Sequence, residues 1–160
     1  MKRASSLAGD RITVSQVLLE VGEELQRKGE TFDSICLLLP TSPFRTAARL
    51  KEAWQAFAAS DAQTLLSIVP LDHPPQWALT LHGNKLTPLW PDDFPKPRPD
   101  LAPAFRHDGG YAFVLWSALQ EFKDLLTPNT LGWPISRQEA VDINEPEELL
   151  WAEFLLAQQS

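Results

Sequence analysis

An α/β fold with a protruding β-arm is predicted for this chain, and three observations predict it. Two apolar runs, residues 34–39 and 64–69, each end at a proline and flank a segment with helical spacing. A third apolar run, Tyr111-Ala112-Phe113-Val114-Leu115, returns further along. Between the second and third runs lie nine of the fourteen prolines, from Pro70 to Pro103. That stretch cannot continue a central sheet, because proline donates no ladder hydrogen bond.

Each element has its own signal. Thr13-Val14-Ser15-Gln16 is a capping-box pattern, and Val14, Val17, Leu18, Val21 and Leu25 recur at helical spacing, so an amphipathic helix is expected over about 14–28. Gly29 ends it. The run Ser34-Ile35-Cys36-Leu37-Leu38-Leu39 does not alternate, which predicts a strand buried on both faces. Pro43 and Thr46 open a second helix over about 47–59, with Leu50, Ala53, Trp54 and Phe57 on one face. Thr64-Leu65-Leu66-Ser67-Ile68-Val69 follows as a second buried strand. A strand–helix–strand unit of this length predicts parallel pairing and a right-handed crossover.

Residues 72–105 form the predicted arm. Trp77-Ala78-Leu79-Thr80-Leu81 and Lys85-Leu86-Thr87-Pro88-Leu89 flank His82-Gly83-Asn84, a hairpin signal. Pro88 keeps its strand at an edge, and Trp77 and Trp90 lack local core, so a partner subunit is one place for them. After the strand at 111–115 a helix is expected near 117–126. Glu139-Ala140-Val141-Asp142-Ile143 reads as a short last strand, and Pro146 with Leu149, Leu150, Phe154 and Leu155 marks a closing helix.

Composition excludes several classes. The chain has 160 residues, which suits one domain over 1–160. A net charge of −7 without like-charge runs argues against binding nucleic acid through its phosphates. No stretch reaches the roughly 20 apolar residues of a membrane span, and no apolar core follows the basic start, so a cytoplasmic protein is expected. Cys36 is the only cysteine and sits in an apolar run, which reads as a small buried hydrophobe. His73, His82 and His107 have no spacing for a metal triad or a nucleophilic pair, and no nucleophile-elbow sequence is present.

Three segments carry a family resemblance. Leu38-Leu39-Pro40-Thr41-Ser42-Pro43-Phe44-Arg45-Thr46, then Arg98-Pro99-Asp100-Leu101 with Ala104-Phe105-Arg106-His107-Asp108-Gly109-Gly110, and finally Asp142-Ile143-Asn144-Glu145-Pro146-Glu147-Glu148-Leu149 occur in order. Together with His73-Pro74-Pro75-Gln76-Trp77-Ala78-Leu79, this combination resembles the acylneuraminate, CMP-sialic-acid-synthetase-type cytidylyltransferases. The resemblance implies a partial Rossmann-like fold of the nucleotide-diphospho-sugar transferase type, with a parallel or mixed sheet. It implies transfer of CMP from CTP to an acidic sugar, with release of pyrophosphate, and a homodimer completed by the arm or by an exposed strand edge. The family's first strands and its glycine- and cation-containing CTP loop have no counterpart in these residues. The chain is therefore expected to be an N-terminally shortened form, catalytically deficient by itself, since triphosphate needs converging N–H donors and cations. The alternative is a non-catalytic, dimeric interaction or sugar-nucleotide-binding protein on the same fold.

The resemblance also assigns residues. Asp142 and Asn144 stand at the positions that help hold Mg²⁺, an oxygen-seeking cation; an Asp capping the last helix is the other reading of Asp142. Arg98 matches a residue that pairs with the sugar carboxylate, its planar fork suiting that anion, or else makes a surface or interface ion pair. Thr41, Ser42 and Arg45 follow the carboxyl end of a strand, where open α/β sheets bind ligands, while Ser42 or Thr46 can equally cap the next helix. Asp108-Gly109 replaces an Asn-Gly of the substrate site, or forms a turn into the next strand. Arg3 resembles an arginine of the nucleotide site. Leu39 takes the place of a ligand-contacting Gln, which removes a hydrogen bond.

Overall fold

Thr13 starts the first helix as its sequence dictates. Its hydroxyl accepts from the Gln16 N–H at 3.2 Å, while the Gln16 side chain accepts from the Thr13 N–H at 2.9 Å. The resulting α1 covers Val14–Arg27, and Gly29 follows it with φ of 88°, the left-handed conformation glycine adopts without strain. The computed structural model describes residue 9 and residues 12–158. Arg3 and the basic opening residues lie outside the described residues.

Six strands and four helices follow in this order among the described residues: α1, β1 (Ser34–Leu38), α2 (Ala47–Ala58), β2 (Thr64–Pro70), β3 (Leu79–His82), β4 (Lys85–Pro88), β5 (Phe105–Leu115), α3 (Trp116–Phe122), β6 (Thr130–Pro134) and α4 (Pro146–Ala157). The main sheet has the order β1-β5-β2-β6, and β3 with β4 forms the separate arm hairpin. Gly83 turns the hairpin with φ of 60°, and Pro88 pairs with Leu79 at its end.

Three expectations about the sheet are corrected. β1 and β2 do not pair directly, because β5 inserts between them and runs antiparallel to both. The sheet is therefore mixed, with β6 parallel to β2. β1 is an edge strand of alternating partial exposure rather than a strand buried on both faces, and Cys36 is exposed on it. Residues 139–143 form no strand. Ser136 and Glu139 make a reciprocal cap, with the Ser136 N–H donating to Glu139 Oε2 at 2.9 Å and the Glu139 N–H donating to Ser136 Oγ at 3.1 Å, and this winds the segment into a turn. The last strand is Thr130-Leu131-Gly132-Trp133-Pro134 instead. α3 ends four residues early, at Lys123 in the left-handed region with φ of 57°.

The central strands are buried on both faces. Leu65, Val69, Tyr111 and Phe113 pack with Ala53 and Phe57 of α2 on one side, while Leu66, Ala112 and Val114 pack with Trp116 and Leu119 of α3 on the other. α1 joins the second layer through Leu18 and Leu19, and Phe32 meets Trp116 edge-on at 5.4 Å. Among the described residues no helix is long and apolar enough to cross a membrane.

Gly22 of α1 lies against the indole of Trp116, and a Cβ there would run into the ring. Alanine is the better helix former by about 1 kcal/mol, but overpacking costs about 1–3 kcal/mol and a buried indole has little room to retreat. Gly22→Ala is expected to lower the midpoint of urea unfolding; an unchanged or raised midpoint would show that α1 does not pack here as described.

Candidate functional site

Of the predicted site residues, Thr41, Ser42, Arg45, Asp108, Gly109, Asp142 and Asn144 lie at one end of the sheet, where β1, β2 and β6 finish and β5 begins. Ligands in open α/β sheets occupy this position. β5 carries a bulge there. Leu66 pairs with Ala112 but Ile68 pairs with His107, so residues 108–111 stand opposite Ser67 alone. A bulge in a buried sheet leaves polar groups that must find partners. Ser67, fully buried, supplies them: its Oγ accepts from the Tyr111 N–H at 3.1 Å and bonds to Asp108 Oδ1, while the Tyr111 carbonyl lies 2.8 Å away as a second acceptor. The Ser67 carbonyl meets His107 Nδ1 at 3.0 Å.

Asp108 is 4% exposed, and its Oδ2 has no protein partner. Gly110 is the residue that permits this, since a Cβ there would strike that oxygen. Gly109 has φ of 80° and lies under Leu39. Asp108-Gly109 is therefore a bulge inside one continuous strand rather than a turn entering a strand.

Arg45 is occupied. Its guanidinium donates to the Leu39 carbonyl and, at 2.8 Å, to the Gly110 carbonyl, fastening the Pro-Thr-Ser-Pro loop to the bulge. Thr46 caps α2, its hydroxyl accepting from the Arg49 N–H at 3.2 Å. Ser42 is not the cap. It is 2% exposed with an unpartnered Oγ. The Thr41 carbonyl accepts from the Ile143 N–H at 2.8 Å, which binds the Asp142–Asn144 segment to the same loop.

Asp142 does not cap α4. Glu145 and Glu148 do so, with Glu148 Oε2 accepting from the N–H groups of Asn144 and Glu145 at 2.6 and 2.9 Å. Asp142 Oδ2 accepts from the Asn144 side-chain amide at 2.9 Å, and its Oδ1 is buried without a partner. Both residues line a cleft of about 460 Å³ with Val69, Arg106, Arg137 and Trp151. Arg98 is exposed in a short 3₁₀ turn and lines a smaller recess of about 250 Å³ with Phe105 and Pro103; the two share Pro70 and Leu71. Arg106, Arg137, Glu148 and Trp151 were not anticipated as lining residues. Only the cap pattern Glu145-Pro146-Glu147-Glu148 hinted at one of them.

An orphaned carboxylate oxygen beside an amide fits a hard divalent cation such as Mg²⁺, which is held by one or two carboxylates plus substrate phosphates and water. Asp142 and Asn144 would hold it.

The loop bearing Asp142 is anchored further back by Glu139, whose Oε1 accepts from Arg49 Nε at 2.8 Å. Arg49 also lies over the Trp133 ring, 5.6 Å from its centroid. Partial burial works to raise the Glu139 carboxyl, but the Ser136 N–H and the Arg49 guanidinium outweigh it and hold it below the ordinary glutamate range.

No family model matches the chain. Among curated proteins it is 25% identical over 154 residues to the pseudaminic acid cytidylyltransferase of Campylobacter jejuni serotype O:2, covering 96% of this chain and 66% of the relative. The protein of the same name from serotype O:23/36 is 24% identical over the same shares. The CMP-N,N'-diacetyllegionaminic acid synthase of Legionella pneumophila is 28% identical over 54% of this chain and 38% of its own length. The chain thus spans slightly under two thirds of the first relatives it matches. At this low identity, the matches support the sialic-acid-type cytidylyltransferase family that the motifs resemble.

A carboxyl with a lowered folded pKa stabilises the fold above its ordinary pKa and ceases to do so as pH falls through the folded value. Glu139→Gln is therefore expected to flatten part of the loss of melting temperature between about pH 6 and 3. Parallel acid limbs for the two proteins would mean that the Arg49 pair does not anchor the loop.

Proposed function

We propose that this chain, a relative of the sialic-acid-type cytidylyltransferases, carries the sugar-side and metal-side half of a CMP-sugar synthetase site. The observation that carries the reading is the joining of Asp142 and Asn144 to the Pro-Thr-Ser-Pro loop through Thr41, beside a 460 Å³ cleft at the carboxyl ends of β2 and β6. The relatives named above act on pseudaminic acid or make a CMP-linked legionaminic acid, which points to an acidic nine-carbon sugar as the acceptor. In the reaction, the sugar's hydroxyl oxygen would form a bond to the α-phosphorus of CTP as the bond to the β-phosphate breaks. The hydroxyl proton leaves and pyrophosphate departs.

Within this scheme Asp142 and Asn144 would hold Mg²⁺, which when bound would offset phosphate charge. Arg45 fastens the loop carrying Thr41 and Ser42 to the bulge carrying Asp108 and Gly109, and Thr41 ties that loop to the Asp142 segment that lines the cleft. The sugar's acid group has two cations in the region: Arg98, which the family resemblance implies, and Arg106. Triphosphate is a different demand, requiring several N–H donors and cations on one anion. No described segment offers such a cradle at this cleft, so the 160-residue polypeptide is deficient in turnover by itself. The setting is cytoplasmic, where CTP is available.

Self-association belongs to the same reading. The arm exposes Leu79, Leu81, Leu86, Leu89 and Trp90, and the outer edge of β1, which has no strand partner among the described residues, invites another strand. A second copy docking through the arm or that edge would cover them, and a purely dimeric binding role for the fold rests on the same surfaces. Light scattering is expected to give twice the chain mass at micromolar concentration; a monomer at all concentrations would remove the dimer.

Calorimetry and a pyrophosphate-release assay test the functional reading. CMP is expected to bind in a Mg²⁺-dependent manner, Asp142→Ala to abolish that dependence, and CTP turnover with pseudaminic acid to stay at background. Robust turnover would overturn the deficiency, and binding indifferent to Mg²⁺ and to Asp142 would overturn the metal-side assignment.

A further inference from the structure

Two consecutive residues of β5 serve different hollows. Side chains alternate along a strand, so Phe105 lines the smaller recess with Arg98, whereas Arg106 lines the larger cleft with Asp142 and Asn144. The chemistry of the sugar decides between the two arginines. In a sialic-type sugar the carboxylate and the hydroxyl that reacts with CTP are borne by the same carbon. Whatever grips the carboxylate must therefore share a cavity with the groups near the reacting hydroxyl, which here are Asp142 and Asn144. Arg106 lines that cavity, whereas Arg98 lines the adjoining recess. Volume agrees, because ligand pockets run to about 300–1,000 Å³, and of these two hollows the larger, at about 460 Å³, falls in that range while the smaller, at about 250 Å³, does not.

Most other charge in this cleft is already committed. Glu148 is held by two backbone N–H groups, and Arg137 forms an ion pair with Asp72 at the exposed rim. Among the described residues Arg106 enters no ion pair, which leaves its planar fork open to a carboxylate. The opposite requirement, an apolar surface for the C–H face of a sugar ring, is met by Trp151. It lines the same cleft from α4, half exposed, and its ring is stacked on Phe154 with centroids 5.4 Å apart and planes 17° from parallel. Phe154 thus holds the indole in place before any ligand arrives, and a pre-positioned aromatic loses little freedom on binding.

We propose that Arg106 and Trp151 are the specificity-determining residues for the acidic sugar, Arg106 taking its carboxylate in place of Arg98 and Trp151 underlying its ring, with the reacting hydroxyl turned toward Asp142. This rests on the cytidylyltransferase reading and adds the ligand's orientation to it.

Saturation-transfer NMR and titration of the full chain with pseudaminic acid, N-acetylneuraminic acid and their methyl esters test it. All three replaced side chains are exposed, and thermal melts report whether each variant is folded. Arg106→Ala is expected to weaken the free acid by about ten- to a hundredfold, the range of a lost charge-assisted contact, and Arg106→Lys by less. The methyl ester should bind the wild type more weakly than the acid does, yet bind Arg106→Ala and the wild type alike. Trp151→Ala should erase saturation of the ring protons, Trp151→Phe should keep it, and Arg98→Ala should leave affinity within about twofold. If Arg98→Ala weakens the acid and Arg106→Ala does not, this proposal falls while Mg²⁺-dependent CMP binding still supports the wider reading. Absence of any binding by the acids to the wild-type chain overturns the proposal; loss of the Mg²⁺-dependent CMP signal as well overturns both.

Discussion

The bulge of β5 places polar backbone in the middle of a buried sheet, and the structure around it exists to satisfy that backbone. Two side chains do most of this. Ser67 meets the bulge from β2 within the sheet, and Arg45 meets it from the loop after β1. A buried group left unpartnered costs about 1–3 kcal/mol, so three strands are tied at one point. The site follows from this arrangement. The Pro-Thr-Ser-Pro loop sits where Arg45 pins it, the Asp142 segment sits where the Thr41 carbonyl receives Ile143, and the cleft lies between that segment, the end of β2, the start of β5 and α4.

What the sequence made legible is what short-range chemistry decides. The α1 cap needs only Thr13 and Gln16, the hairpin only Gly83, and the entry to α4 only Pro146 and its glutamates. Sheet order is different in kind. Nothing local to residues 34–39 or 64–69 says that residues 105–115, far along the chain, will pass between them. β6 was missed because Gly132 and Pro134 are poor strand formers, and it forms because Gly132 can lie close against Ile68 at a sheet edge. The strand expected at 139–143 had a visible competitor, since Ser136-Arg137-Gln138-Glu139 is a capping box, and two backbone bonds gained locally prevail over a weak β pattern. Arg45 shows the limit for function. Its type and position suit an anion, yet its contacts are two carbonyls, which only tertiary structure could bring to it.

The exposed apolar surface is unevenly placed. α2, α1 and α3 bury their apolar faces against the sheet, whereas α4 buries little beyond Ala152 and leaves Leu150, Trp151, Phe154 and Leu156 open. A helix apolar on nearly all sides is ordinarily covered on more than one. The arm has the same imbalance, with Leu81 and Leu86 more than 60% exposed. Of these surfaces, α4 reaches the larger cleft, which Trp151 lines.

The pairing of Asp142 with Asn144 bears on the metal site proposed above. A second carboxylate in place of Asn144 would set like charges close together, and the loop would need a cation to settle. Here the amide of Asn144 donates to Asp142 Oδ2 at 2.9 Å and replaces that repulsion with an attraction. The loop is consequently ordered by the protein alone, with Glu148, Thr41 and the Arg49–Glu139 pair completing its anchorage. An amide in that position also offers less negative charge to a cation than a carboxylate would. In the proposed site Mg²⁺ would therefore stay unbound until a phosphate brought the missing charge, and metal and nucleotide would bind as one event rather than in sequence.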